Sequence, residues 1–207
     1  SFGANGDGTN QTVALQRAVD QLYLNASNKG TTQARVELIL EAGEYTITSP
    51  IYLPPYATIR GAGPDKTIIN AGSHGVFQTC NDTSTPGTYA NDSTSTTLNQ
   101  ARNIKLSGMT LTTTSGPVLG LTSCKNSVFE DLIISAAYSF GAAIDGNSDG
   151  IRLTSLSTAV SSNGNLFKNV TVKNCVTGIK SDTDIKDNTW DNCTFDTLWQ
   201  GFTLGGN

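Results

Sequence analysis

Two cationic residues stand at matching positions in segments that each begin with a glycine. The segments are GIRL, from residue 150, and GIKS, from residue 178, which makes Arg152 and Lys180 equivalent. On neighbouring strands such residues lie about 4.8 Å apart, and Asp182 follows on the same face. Stacked cations suit an anionic sugar. They also suit a lyase, whose base takes the proton beside a uronate carboxyl, so Arg152, Lys180 and Asp182 are candidate catalytic residues. The alternative is a solvated surface on which Asp182 offsets the two cations.

Two aspartates precede Arg152 in the segment AAIDGNSDGIRL. Its NSDG stretch resembles the NTDG motif of polygalacturonase-type glycosidases at three positions: Asn147, Asp149 and Gly150. The resemblance makes Asp149 a candidate catalytic carboxylate, and Asp145 in the same segment is a candidate substrate contact. Such an enzyme needs both an acid and a base. The second aspartate pair of the motif is missing where this chain has NCVTGI, and the alternative for Asp149 is a turn before a strand.

Glu130, Lys168 and Asp191 form a third charged set, because they share one column when the repeated segments are aligned. Two carboxylates two coils apart lie about 10 Å from each other, slightly beyond the roughly 6.5–9.5 Å of inverting glycosidases. We therefore treat Glu130 and Asp191 as candidate substrate contacts. The alternative is a surface charge ladder with Lys168 between the carboxylates.

The segment 79–100, TCNDTSTPGTYANDSTSTTLNQ, is a long polar insertion between repeats. Long loops on a rigid scaffold often carry function. Tyr89 is therefore a further candidate sugar contact, together with Asp82 and Asp92. Disorder of the segment is the alternative.

Internal repeats in the sequence predict the structure that positions these candidate residues. NIKLSGMTL and NSVFEDLII begin at residues 103 and 126, and NLFKNVTV and NTWDNCTF begin at 165 and 188, so each pair is 23 residues apart. This period is typical of a solenoid with one coil per repeat. Apolar positions alternate with polar ones as strands require, and the predicted interior columns are Leu106–Phe129–Phe167–Trp190, Met109–Leu132–Val170–Cys193 and Leu111–Ile134–Val172–Phe195. Paired polar positions before the second column predict a bend, where Asn169 and Asn192 should stack as an asparagine ladder.

A second set of strands begins at glycines 75, 116, 150, 178 and 201. It predicts a further inward column of Val76, Val118, Ile151, Ile179 and Phe202. Each coil then has three short parallel strands, and the coil itself supplies the crossover between them. Cys175 and Cys193 fall in different interior columns, so all four cysteines are predicted to be free thiols.

The first 70 residues predict how the coils begin. Residues 1–8 suggest a loop, and a helix capped by Thr9 or Asn10 follows from the helical spacing of Leu15, Ala18, Val19, Leu22 and Tyr23. The stretches FGANGDGTNQTVALQRAVD, LEAGEYTITSPIYLP and IRGAGPDKTII resemble the entry of the pectate-lyase-like β-helix superfamily, which includes phage tailspikes. The resemblance implies an all-β, right-handed parallel β-helix whose open end is covered by an N-terminal α-helix. We divide the chain into an entry loop and capping helix, 1–30, and a parallel β-helix, 31–207, expected to continue beyond residue 207.

The composition narrows the classes of function. Charged residues make up 14% of the chain, the net charge is −4 and the pI is about 4.8, so a nucleic-acid partner has no electrostatic footprint. No apolar run approaches the ~20 residues of a membrane-spanning helix, so no membrane insertion is predicted. One histidine and no CxxC pair argue against a zinc site, and no metal ligands are predicted.

The resemblance implies a polysaccharide partner. We expect a phage tailspike or tail-fibre protein that recognises a host surface polysaccharide, with its cleavage left open. One alternative is a non-catalytic structural or adhesin β-helix of a virion appendage, and another is a secreted polysaccharide lyase or glycoside hydrolase. The resemblance further implies a virion or extracellular location, a homotrimer and other virion tail proteins as partners. It implies no cofactor, or Ca²⁺ if the protein is a lyase.

Overall fold

The computed structural model describes residues 3–21, 37–85, 87–89, 93–143, 148–182 and 184–205. These residues form one helix and fourteen strands: β1 (Asp7–Asn10), α1 (Thr12–Asp20), β2 (Glu37–Leu40), β3 (Gly43–Thr46), β4 (Ile51–Leu53), β5 (Thr58–Gly61), β6 (Thr67–Asn70), β7 (Phe77–Thr79), β8 (Lys105–Thr112), β9 (Leu119–Thr122), β10 (Val128–Ser135), β11 (Asp149–Thr154), β12 (Leu166–Ser181), β13 (Thr189–Asp191) and β14 (Thr194–Leu204). The protein is therefore mostly β, as its short apolar runs between glycines and prolines predict.

The strands pair in parallel. Their hydrogen-bonded order runs β1-β3-β6-β8-β10-β12 and then returns through β11-β9-β7-β4. The turning point is β12, because residues 166–173 pair with β10 and residues 177–181 pair with β11. The sheet is therefore curled, and a β-helix fits this order, since parallel neighbours need a long connection that a coil of chain provides.

The bend within the long strands lies where the paired polar residues predict it. Asp131, Asn169 and Asn192 have φ of 52°, 53° and 51°, and Gly108, in the same column, has φ of 66°. Asn169 donates its Nδ2–H to Asp131 Oδ1 at 2.9 Å, and Asn192 donates to Asn169 Oδ1 at 2.8 Å. The predicted asparagine ladder is thus confirmed, and it extends to Asp131. Asn and Asp tolerate this left-handed conformation better than other side chains do.

The predicted interior columns of the repeats are confirmed. Leu106 pairs with Phe129, Phe129 with Phe167, and Phe167 with Trp190. The rings of Phe129 and Phe167 stack with centroids 5.0 Å apart, and those of Phe167 and Trp190 with centroids 4.0 Å apart. Phe129 and Phe167 have no exposed surface, whereas Trp190 is half-buried. Burying a side chain of this size contributes about 1.5–3 kcal/mol, so the column is a main source of stability.

The inward column of the glycine-led strands was predicted wrongly at its first two positions. Leu119, not Val118, pairs with Ile151, and Phe77, not Val76, pairs with Leu119. The rest of the column is as predicted: Ile151 pairs with Ile179, and Ile179 with Phe202, which is 50% exposed. Val76 and Val118 are nevertheless buried. In each segment two consecutive apolar residues are both buried. The alternation of apolar and polar residues, from which the register was predicted, is therefore lost at these positions.

The entry segment differs in detail from its prediction. Residues 7 and 8 belong to β1, which pairs with β3, and not to a loop. Gln11 is the residue before α1, where Thr9 or Asn10 was expected. Asn10 still contributes, because its Oδ1 accepts the backbone N–H of Thr12 at 3.0 Å. The predicted buried face is confirmed at Leu15, Ala18 and Val19, while Leu22 and Tyr23 lie outside the described residues.

A glutamine of α1 pairs with the strand at the end of the sheet. Gln16 Oε1 accepts the backbone N–H of Tyr52 in β4 at 2.9 Å, and Gln16 Nε2 lies 3.3 Å from the Tyr52 carbonyl. An edge strand otherwise leaves such groups unpaired. The side chain therefore replaces a missing strand at this position and holds α1 against β4.

The four cysteines are free thiols, as predicted. Cys175 of β12 pairs with Leu198 of β14. Burial raises the pKa of Cys124 and of Cys175 to about 12. These thiols act as small apolar core residues rather than as nucleophiles.

Candidate functional site

One outward column runs across the glycine-led strands. Gln78 of β7 pairs with Gly120 of β9, Gly120 with Arg152 of β11, and Arg152 with Lys180 of β12. The residues that precede them in each strand are buried, so these side chains lie on the outer surface of the sheet. The predicted adjacency of Arg152 and Lys180 is therefore confirmed.

A polar groove lies on this column. It has a volume of about 240 Å³ and is lined by Gln78, Pro117, Gly120, Leu121, Thr122, Arg152 and Thr154. Gly120 leaves the gap between Gln78 and Arg152, because a Cβ built on it would meet Gln78 Cγ at 3.4 Å. Thr122 and Thr154 pair on neighbouring strands, and Thr154 Oγ1 lies 3.0 Å from Thr122 Oγ1. The groove thus offers hydroxyls, an amide and a guanidinium, which are groups that bind sugar hydroxyls and carboxylates.

Arg152 is anchored by Asp149, three residues earlier. Its Nε lies 2.9 Å from Asp149 Oδ2, and its Nη2 contacts the same oxygen. The Asp149 side chain is 1% exposed, whereas that of Arg152 is 31% exposed. The pair therefore runs from the interior to the surface, and Nη1 of Arg152 has no hydrogen-bond partner among the described residues.

This arrangement corrects the interpretation of both aspartates near the groove. Asp149 is the first residue of β11 rather than part of a preceding turn. It is also the partner of Arg152, a role that the sequence suggested for Asp182. Asp182 is exposed and lines another cavity, of about 380 Å³, with Asp184, Lys186 and Leu204.

One oxygen of the buried Asp149 carboxylate has no partner among the described residues. Oδ1 is buried and unbonded, while Oδ2 takes both contacts from Arg152. A carboxylate buried in this way is not placed to reach a sugar bound outside the sheet. Asp149 is therefore better suited to hold Arg152 in position than to exchange protons with a substrate.

Lys180 differs from Arg152 in having no ion pair among the described residues. It is half-buried and lies between Arg152 and Thr203 in the column. Its ammonium group therefore carries a charge that no carboxylate in the described part of the chain neutralises.

The third charged set has the predicted register. Glu130 pairs with Lys168, and Lys168 with Asp191. The partner of Glu130 is, however, not Lys168 but Lys105, whose Nζ lies 2.6 Å from Glu130 Oε1. Lys168 and Asp191 are exposed. The geometry favours the surface charge ladder that the sequence left as an alternative.

Tyr89 and Asp82, two of the candidate sugar contacts in the segment 79–100, make contacts within the protein itself. Tyr89 donates its hydroxyl to the Asp20 carboxylate, 2.9 Å and 3.0 Å from the two oxygens, and its ring stacks on Tyr52 with centroids 4.5 Å apart. Burial, with a contribution from Asp20, raises the pKa of Tyr89 to about 12. Asp82 accepts a hydrogen bond from Arg102 at 3.2 Å. Asp145 and Asp92, the other candidate contacts, lie outside the described residues.

The sequence did not single out Gln78, Gly120, Thr122 and Thr154 as members of the site. Gln78 and Gly120 could have been found from the sequence, because GVFQ and GPVLGL were recognised as glycine-led strands. The one-residue error in their register placed Gln78 and Gly120 in the wrong columns.

The described residues hold no candidate metal centre, since nowhere among them do three His, Cys, Asp or Glu side chains come together. Nor does the described part of the chain include a helix long and apolar enough to cross a membrane.

The family comparison covers almost the whole chain. A family model described as rhamnogalacturonase A/epimerase, pectate lyase-like, matches residues 1–203. The chain belongs to this pectate-lyase-like family. No curated protein matches the sequence.

Several solved structures share the fold. ORF18 of Geobacillus virus E2 has a TM-score of 0.60 and 19% identity, over 94% of this chain and 41% of that one. The catalytic unit of the GH87 α-1,3-glucanase from Streptomyces thermodiastaticus has a TM-score of 0.66 and 14% identity, over 98% of this chain and 31% of that one. PfbA, a surface adhesin of Streptococcus pneumoniae, has a TM-score of 0.56 and 15% identity, over 91% of this chain and 55% of that one. At such identities the likeness shows the fold, and the chain spans less than half of the first two.

Proposed function

We propose that this protein recognises an acidic polysaccharide through the groove on its glycine-led strands. The observation that carries the proposal is the pair of adjacent cations, Arg152 and Lys180, beside a polar groove opened by Gly120. Arg152 is held by a buried carboxylate, so its guanidinium is fixed before a ligand arrives, which lowers the entropic cost of binding. Lys180 supplies the positive charge that no described carboxylate neutralises.

We also propose a class of protein and a location, which the family and the similar structures support. The protein is a phage tailspike or tail-fibre component, in a virion or outside the cell, that binds a host surface polysaccharide. A glucanase, a phage protein and a bacterial adhesin among the similar structures support a carbohydrate-directed or surface role. Homotrimer formation and contact with other tail proteins are part of the same proposal.

The architecture that we propose is a right-handed β-helix with three short strands in each coil. The helix α1 would cap its first coil, consistent with the pairing of Gln16 to the edge of β4. Residues 1–30 would form the entry and cap, and residues 31–207 the coils.

The test is a binding comparison between acidic and neutral polymers. The wild-type protein should bind alginate or hyaluronan more tightly than dextran, with an affinity that falls as salt screens the charges. Lys180→Ala should weaken binding to the acidic polymer about tenfold, which corresponds to the loss of one charge-assisted contact. Lys168→Ala, which removes an exposed lysine from the other charged column, is the matched control and should leave binding unchanged. Equal binding of acidic and neutral polymers would contradict the proposal.

A polysaccharide lyase is the second candidate function. The observation that favours it is Lys180, a half-buried lysine without an ion pair among the described residues, beside a guanidinium that can bind a uronate carboxylate. The test is to incubate the protein with the acidic polymers and to follow reducing ends together with absorbance near 235 nm. A lyase raises both, and Lys180→Ala should then abolish both while thermal melting stays unchanged. A hydrolase raises reducing ends alone, and a protein that only binds raises neither.

A further inference from the structure

Another cavity, which shares no lining residue with the groove, lies between α1, β4 and Tyr89. It has a volume of about 280 Å³, just under the roughly 300–1,000 Å³ typical of small-molecule sites. Its apolar lining includes Val13, Pro50 and the stacked rings of Tyr52 and Tyr89. Val13 is 61% exposed, although it is apolar and lies on an ordered helix. The size and lining suit one ring-shaped ligand.

Two polar side chains of this cavity, Asp20 and Gln16, already make hydrogen bonds within the protein. Asp20 accepts the hydroxyl of Tyr89 and, at 3.0 Å, the side-chain amide of Gln16. Gln16 is also bonded to the backbone of Tyr52. These contacts keep both tyrosine rings in place, and they direct the Asp20 carboxylate towards Tyr89 and Gln16.

Arg17 is the exception among the charged residues of the cavity. It lines the wall, it is exposed, and it makes no ion pair with any described residue. The Arg17 guanidinium is therefore a charged donor without an ion-pair partner among the described residues, and it stands beside two fixed aromatic rings. Arginine binds carboxylates with two parallel hydrogen bonds, and an aromatic ring provides an apolar face for a ring-shaped ligand.

We propose that this cavity binds a single acidic sugar unit, with its carboxylate on Arg17 and its ring against the tyrosine pair. The inference rests on the proposed function for its class of ligand, because it adds a second subsite to a protein that recognises an acidic polysaccharide. It does not rest on the groove, since Arg152 and Lys180 do not line this cavity. A polymer held at two separate subsites binds more tightly than at either one alone.

The experiment uses two monosaccharides that differ in one group. Glucuronate and glucose share the pyranose ring, but only glucuronate carries a carboxylate. Binding to the full chain is followed by NMR chemical shifts or calorimetry. We expect glucuronate to bind at least about tenfold more tightly than glucose, and Arg17→Gln to remove that preference. Lys66→Gln, at an exposed cation outside the cavity, is the control and should keep it.

The variants separate this inference from the proposed function. Tyr89→Phe keeps the ring but loses the hydroxyl that Asp20 accepts, so it should weaken glucuronate binding less than Arg17→Gln does. If Lys180→Ala rather than Arg17→Gln abolishes glucuronate binding, the sugar occupies the groove and the inference is wrong. If no monosaccharide binds while acidic polymers still do, the inference fails and the groove proposal stands. If acidic polymers do not bind either, both are wrong.

Discussion

Two charged columns run along the outside of the same curled sheet, one through Arg152 and Lys180 and the other through Glu130, Lys168 and Asp191. Both have the register that the sequence predicts. They differ in what surrounds them. The first lies beside a groove opened by a glycine and is anchored by a buried carboxylate, whereas the second is largely exposed and Glu130 is paired with Lys105. A column of charges is therefore not a site by itself. The first column differs because Gly120 opens a groove beside it and the buried Asp149 holds Arg152 in position.

The largest expected effect is a difference in unfolding free energy between substitutions in the two columns. Asp149→Asn should lower the free energy of unfolding by about 2 kcal/mol, because it removes the charge that compensates a partly buried guanidinium. Glu130→Gln breaks an ion pair whose side chains are 27% and 47% exposed, so it should cost less than about 0.5 kcal/mol. Urea unfolding followed by tryptophan fluorescence measures both. Equal losses would mean that Asp149 and Arg152 form an ordinary surface pair.

The next effect concerns the groove itself. Gly120→Thr should reduce affinity for an acidic polymer about tenfold while leaving stability unchanged, because the added Cβ meets Gln78 Cγ at an ordinary 3.4 Å and the rest of the side chain fills the groove. Gly201→Thr is the control, since a Cβ there meets nothing within 4 Å and Gly201 does not line the groove. Undiminished binding by Gly120→Thr would show that the polymer does not use this groove.

The smallest effect concerns the thiols near the two columns. Cys175 is buried, and burial together with the Asp149 charge raises its pKa to about 12. Cys193 is half-buried, and burial also raises its pKa. Iodoacetamide should therefore alkylate Cys193 in the folded protein about threefold faster than Cys175. Mass spectrometry of the labelled peptides measures the two rates, and equal rates would indicate that the sheet opens beneath the Arg152 column.

The repeats could be predicted because they carry redundant information. The column from Leu106 to Trp190 alternates with polar residues and recurs at a fixed period, so only one register buries its large side chains. The bend at Asp131, Asn169 and Asn192 was predictable for a related reason, since paired polar residues interrupt the alternation. The glycine-led strands carry less information, and their register was predicted one residue off where Val76 and Phe77, or Val118 and Leu119, are both apolar.

The candidate site was predicted only in part. The adjacency of Arg152 and Lys180 follows from register, and register can be read from a repeat. The pairing of Arg152 with Asp149 could not be predicted in this way, because strand geometry places residues three apart on opposite faces. Asp149 begins its strand, and there the carboxylate turns towards Arg152.

The sequence by itself determined the family, the parallel coiled sheet and the columns in which the charged residues lie, because periodic apolar residues permit few registers. The tertiary structure decided which of those charges are neutralised and which are available. It buried Asp149 and paired it with Arg152, and it joined Tyr89 to Asp20 across 69 residues of chain. Such contacts depend on where loops and strand ends come to rest against the sheet, and no period in the sequence encodes those positions.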